Sequence, residues 1–227
     1  RPVAHTYLIF SVGLRVFNCR KFFKTIYKMF NLSLLYHPPF LYFFIGNSLL
    51  MSSYFIPFVY LPQFALSQGL DQSMSGAILS IIGLLNTLGR IIFGYAVDTF
   101  HLNPLVLETC CISLFGLSMS SCLLCSHLFW PYMVVAAVIG ITTAGAVSLT
   151  SISLVHLLGV EKLSESFGSL LVAWGVGATI SSPVGGVILE LSNSYFGVFL
   201  FSSISALLSG LAMLLSHLTY LRYLKNN

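Results

Sequence analysis

Charged residues divide this chain into long uncharged runs. No Asp, Glu, Lys or Arg occurs at 29–70, 72–89, 109–160, 166–189 or 191–221. A helix that crosses a bilayer needs about 20 apolar residues. The first two and the last two runs hold one span each. The 109–160 run is broken near its middle by Ser126, His127, Trp130 and Pro131, and holds two. The pattern therefore predicts an all-α polytopic membrane protein, a six-transmembrane-helix bundle. The spans fall at about 40–66, 74–97, 104–125, 130–155, 164–189 and 195–219. They make a membrane domain over 34–220, preceded by a basic segment, 1–33, and followed by a short tail, 221–227. Connections of about five to nine residues force antiparallel neighbours and leave no room for an extramembrane domain.

Composition agrees. Of 227 residues, 57% are hydrophobic and 7% charged, against about 25% charged in soluble domains, so water is not the main solvent. Six of the ten basic residues (Arg1, Arg15, Arg20, Lys21, Lys24, Lys28) precede residue 29, where there is no acid. With six spans both ends share one side, and these six together with Lys162, Arg222 and Lys225 all fall there. Basic loops stay inside, which predicts cytoplasmic termini in an integral membrane protein; the plasma membrane is the expected location. The apolar run after the first basic residue is short, interrupted by Arg15 and followed by no small-residue cleavage site, so it does not read as a secretory signal. The chain opens on Arg1 rather than Met, which reads as a fragment or processed piece.

Four of the five cysteines (Cys110, Cys111, Cys122, Cys125) lie in one predicted span, which excludes a secreted disulfide framework. Cys122 and Cys125 have CxxC spacing but no second pair and no His or acid suitably placed, so they read as packing residues. No metal or cofactor is expected. Aromatic residues collect at span ends (Phe40, Tyr42, Phe43, Phe44; Phe129, Trp130, Tyr132; Tyr195, Phe196, Tyr220, Tyr223), as at membrane interfaces. In the fifth span Gly177, Ser181 and Gly185 recur every four residues, a face on which another helix can approach closely. Pro183 beside Gly185 and Gly186 predicts a bend.

One basic residue lies inside a span. Arg90 is eight residues before Asp98, roughly 12 Å from the helix end. An Arg near mid-membrane costs about 2.5–3.5 kcal/mol and so faces protein or water rather than lipid. The alternatives are snorkelling or a permanent pair with an acid of another helix. No acid is expected at its depth, so its counter-charge is expected from a substrate, from another part of the protein or from water. Asn86, one turn earlier, shares its face and cannot take up a proton. The fourth span carries Thr142, Thr143, Ser148, Thr150, Ser151 and Ser153. These hydroxyls either line an aqueous cavity or bond back to their own helix carbonyls.

SIIGLLNTLGRIIFGYAVD at 80–98 and SLVHLLGVEKLSESFGSLLVAWGVGATISSPVGGVILEL at 153–191 together resemble the C-terminal half of a monocarboxylate transporter of the major facilitator superfamily. The likeness covers about residues 34–220. Gly94-x-x-x-Asp98 resembles the superfamily's element at the cytoplasmic turn between the second and third helices of each half. Gly159, Glu161-Lys162-Leu163, Phe167-Gly168, Gly175 and Pro183-x-Gly185-Gly186 follow the family's spacing.

The resemblance implies a twelve-helix carrier of which this chain keeps helices seven to twelve. It further implies that Arg90 meets the substrate carboxylate. The position of Asn86 is an Asp in the proton-coupled members, so proton symport does not carry over. A substrate-side pair of the tenth helix falls by spacing on Thr143 and Val147, neither matching in type, and a family Asp is replaced by His156, read as a solvated loop residue. The implied partners are a small carboxylate-bearing substrate, membrane lipid, the missing N-terminal six-helix half and a single-span accessory subunit; nucleic acid is not among them. The expected function is transport of small organic anions or zwitterions by alternating access, with Arg90 attracting the carboxylate in a central cavity and Asn86 and the fourth-span hydroxyls orienting it. The alternative is a truncated, non-transporting membrane protein that acts by assembly or regulation. A channel would need a voltage-sensing basic repeat or a filter loop, and an enzyme a catalytic constellation such as G-x-S-x-G or HExxH. Neither is present in the sequence.

Overall fold

The computed structural model describes residues 36–124 and 128–226; the basic segment at 1–33 and Cys125 lie outside them. Seven α-helices follow in order: α1 Pro38–Tyr54, α2 Ile56–Ser67, α3 Gln72–Phe100, α4 Pro104–Ser121, α5 Phe129–Leu158, α6 Leu163–Ser192 and α7 Tyr195–Asn226. Together they make six apolar spans long enough to cross a membrane, with α1 and α2 sharing the first.

That first span, expected as one helix, is broken at Phe55, and the reason is local. Pro57 has no N–H to give the Ser53 carbonyl four residues back. That oxygen instead accepts the Phe55 N–H and the Ser202 hydroxyl, the latter at 3.4 Å. The α2 to α3 turn closes on Gly69, whose φ of 89° suits glycine. Gly69 N–H bonds to Leu66 and Leu70 N–H to Ala65, satisfying the last carbonyls of α2. Asn103 caps α4, its side-chain oxygen accepting from Leu105 N–H at 3.1 Å. At the same end of the bundle His37 packs edge-on against Tyr223 with ring centres 5.1 Å apart. Burial, and then the Lys162 charge, hold its pKa below the usual imidazole value.

Side-by-side packing gives the spatial order α3–α5–α4–α7–α1–α6. The arrangement is an arc. Helices α5, α4, α7 and α1 have neighbours on both sides, whereas α3 and α6 end the arc and are the least covered spans. Serine hydroxyls stitch α7 to the interior: Ser209 donates to Gly46 O (2.6 Å), Ser203 to Gly116 O (2.8 Å) and Ser216 to Pro39 O (2.7 Å).

The small-residue face of α6 is used as a close crossing. A Cβ on Gly177 would lie 2.9 Å from Met51 Cβ, and one on Gly185 would lie 2.7 Å from the Tyr60 ring. Tyr60 donates to the Ser182 carbonyl at 2.8 Å, beside Pro183. Gly185→Ala is therefore expected to push the ring off this bond and lower stability by about 1–2 kcal/mol, a lost hydrogen bond plus overpacking. Thermal unfolding in detergent measures this.

Candidate functional site

The close approach of α3 to α5 builds the site. A Cβ on Gly140 would lie 2.7 Å from Ile82 O, and one on Gly89 would lie 2.7 Å from Ala144 Cβ. The two backbones can meet only because these positions lack side chains. At that distance the Asn86 amide donates to Thr143 Oγ1 at 3.0 Å, and Thr143 donates to Ile139 O at 2.6 Å. Arg90 Nε donates to Asn86 Oδ1 at 3.2 Å. This relay runs from guanidinium through amide to hydroxyl and fixes the Arg side chain.

Tyr54, at the end of α1 where the first span breaks, places its side chain near Asn86 and Arg90. Sequence reasoning missed this residue; the available signal was Pro57, which ends a helix just beyond an aromatic hydroxyl. A guanidinium has five donors, and Asn86 occupies only one of them. Among the described residues Arg90 forms no ion pair with a carboxylate. It is exposed, on the least-covered side of α3.

Of the other residues singled out in the sequence, Val147 lies one turn beyond Thr143 but is partly buried and packs on the hydrophobic core. Asp98 is exposed in the last turn of α3. Gly94 and Gly175 have open space beside them, so no helix approaches closely there, and Gly168 is half-buried in α6. Gly159 ends α5 at φ 82° and Pro183 is exposed within α6. His156 lies in the last turn of α5 rather than in a loop, its ring 5.2 Å from that of Tyr220.

The hydroxyls of the fourth span chiefly bond back to their own helix: Thr142 to Val138 O, Ser148 to Ala144 O and Thr150 to Ala146 O. Thr142, Thr143, Thr150 and Ser153 are buried, so these four do not line an aqueous cavity. Thr150 and Ser153 instead face Glu108 of α4, which is fully buried and accepts from Thr150 at 3.0 Å and from Ser153. An acid is thus present inside the bundle, about one turn from the helix end and shallower than Arg90.

A family model described as the Major Facilitator Superfamily matches residues 43–223. The chain belongs to that superfamily. Among its superfamily relatives it is similar to monocarboxylate transporter 10 of Homo sapiens, 24% identical over 192 residues that cover 84% of this chain and 37% of that protein. It is also similar to monocarboxylate transporter 12 of Xenopus laevis, 27% identical over 172 residues (71% and 36%). A third is monocarboxylate transporter 14 of Mus musculus, 30% identical over 146 residues (63% and 28%). The chain spans about a third of the length of these relatives. Six apolar spans and superfamily membership make it a membrane protein of a transporter superfamily, and point away from an enzyme.

Proposed function

We propose that this chain forms one six-helix half of a secondary transporter for small organic anions or zwitterions, with Arg90 as the group that binds the substrate carboxylate. One observation carries the reading. Arg90 is held by Asn86, itself anchored on Thr143, with Tyr54 close by, and has donors left over but no acid bonded to it among the described residues. A planar fork of that kind matches a carboxylate. The relatives' names as monocarboxylate transporters support a substrate bearing one. A second six-helix unit would cover the open side of the arc, and alternating access would follow from rocking of the two halves about the site. The excess of basic residues outside the spans supports cytoplasmic termini, in the plasma membrane.

The test is uptake of labelled small carboxylates by the full-length carrier that contains this half, reconstituted in lipid vesicles, which should fall sharply when Arg90 is replaced. A second variant checks the electrostatics from the other side. Asn86→Asp places a carboxylate one turn from Arg90, where it competes with substrate. Uptake at neutral pH should drop at least tenfold, about 1.4 kcal/mol, and recover in part as acid protonates the new group. An Asn86→Asp protein with wild-type uptake at neutral pH contradicts the reading.

A further inference from the structure

Glu108 has no part in the Arg90 site, yet among the described residues it is the one Asp, Glu, Lys or Arg side chain that is fully buried. It is fully buried, and so are Thr150, Ser153 and Asn47 around it. Thr150 and Ser153 of α5 meet its two oxygens, and the side-chain amide of Asn47, from α1, is its third polar neighbour. Trp174 of α6 closes the cluster by donating Nε1–H to Asn47 Oδ1 at 3.2 Å. Three helices therefore meet at one carboxyl group, and α6 joins them through Asn47. All these partners are neutral. The other titratable side chains on the helices packed round it are Tyr42 and Tyr54 of α1, Cys110 and Cys111 of α4, Tyr132 and His156 of α5, Glu165 and Glu190 of α6, and Tyr195, His217, Tyr220, Arg222, Tyr223 and Lys225 of α7, with His37 just before α1. None of them hydrogen-bonds to the carboxyl among the described residues.

The proton inventory is informative. Thr150 has a single hydroxyl proton and two acceptors in range, Ala146 O at 2.8 Å and Glu108 Oε1 at 3.0 Å. If that proton goes to the nearer carbonyl, the Glu108 contact lacks a hydrogen unless the carboxyl supplies one. With a proton on Oε1, Glu108 donates to Thr150, Oε2 accepts from Ser153, and every contact is satisfied. Without it, Thr150 must turn away from its own helix.

An open cleft lies near the buried carboxyl. A cleft of about 440 Å³ at the same end of the bundle is lined by His101, Asn103, Pro104, Ile152 and His156 among others. Pro104 is one turn before Glu108, and Ile152 adjoins Ser153. We propose that Glu108 is an exchangeable proton site, its carboxyl binding and releasing one proton through this cleft as the surrounding helices shift. Carboxyl groups inside membrane bundles are costly and mark proton relays. The Arg90 site itself, with Asn86 in place of an acid, has no carboxyl to serve.

Infrared difference spectra of the protein in lipid vesicles, low minus high pH, test this without any substrate. Failure here is thus distinct from failure of the transport reading, which uptake by Arg90 variants decides. A protonated-carboxyl C=O band should rise as pH falls, disappear in Glu108→Gln and shift in Ser153→Ala, which removes one donor but keeps the acid. Should Glu108→Gln fail to fold, Glu108→Asp and Ser153→Ala take its place, each expected to move the same band. Spectra in which no band responds to these substitutions overturn the proposal. So does a Glu108 band that never changes with pH, since it marks a permanently protonated structural acid. Replacing choline with sodium at fixed pH gives the remaining arm: a Glu108 signal that follows sodium and not pH assigns the site to a sodium ion instead.

Discussion

Arg90→Ala is expected to abolish carboxylate uptake while leaving the protein folded and in the membrane. The side chain is exposed and supports no core packing, so its loss costs little stability. Its role is the charge it offers when the cavity closes. Removing one partner of a desolvated, hydrogen-bonded charge pair costs about 2–5 kcal/mol, or roughly 30- to 5,000-fold. Arg90→Lys separates charge from geometry. It keeps the positive charge but loses the planar fork and the Nε–H bond to Asn86, so uptake should fall to an intermediate level. Transport by both variants at wild-type rates, with equal amounts in the membrane, would remove Arg90 from the mechanism.

The second large effect is on assembly. Gly140→Ala places a methyl group 2.7 Å from Ile82 O and 3.0 Å from Leu85 Cβ. The first of these is backbone and cannot swing aside, so α3 must move away from α5. The strain is about 1–3 kcal/mol, and the Asn86–Thr143 bond across the same seam lengthens with it. Uptake should therefore fall together with thermal stability. Gly83→Ala, on α3 with open space beside it, is the control. Replacing a helical glycine there should be neutral or stabilising by about 0.5–1 kcal/mol. If Gly140→Ala and Gly83→Ala melt alike, the close crossing does not set the site.

Much of this was legible because membranes impose long periods on a sequence. Gaps between charges give the six spans, and a guanidinium in the middle of one is conspicuous wherever it sits. Asn86 followed from Arg90 because helix geometry places i and i+4 on one face. What escaped depended on contacts between helices. Tyr54 is one of eleven tyrosines and becomes special only where α1 stops beside Arg90. The small-residue face of α6 was visible at four-residue spacing, but the equally tight Gly140 and Ala144 face of α5 was hidden among abundant small residues. Glu108 lies in the first turn or so of its span, where an acid close to the helix end draws no notice in the sequence. Its meaning comes from Thr150 and Ser153, some forty residues away, which turn inward to meet it. The choice between a wet cavity and back-bonded hydroxyls likewise needed three-dimensional neighbours.

The arc of helices has a mechanical consequence. Four helices are clamped on both flanks, while α3 and α6 are each fastened mainly along one. Amide exchange in lipid should accordingly be slowest in α4, α5 and α7 and faster along the two end helices. Arg90 rides on one of those end helices and the Pro183 segment on the other. The bundle would then behave less like a single block than like a stiff spine with two leaves, and the guanidinium is carried by a leaf.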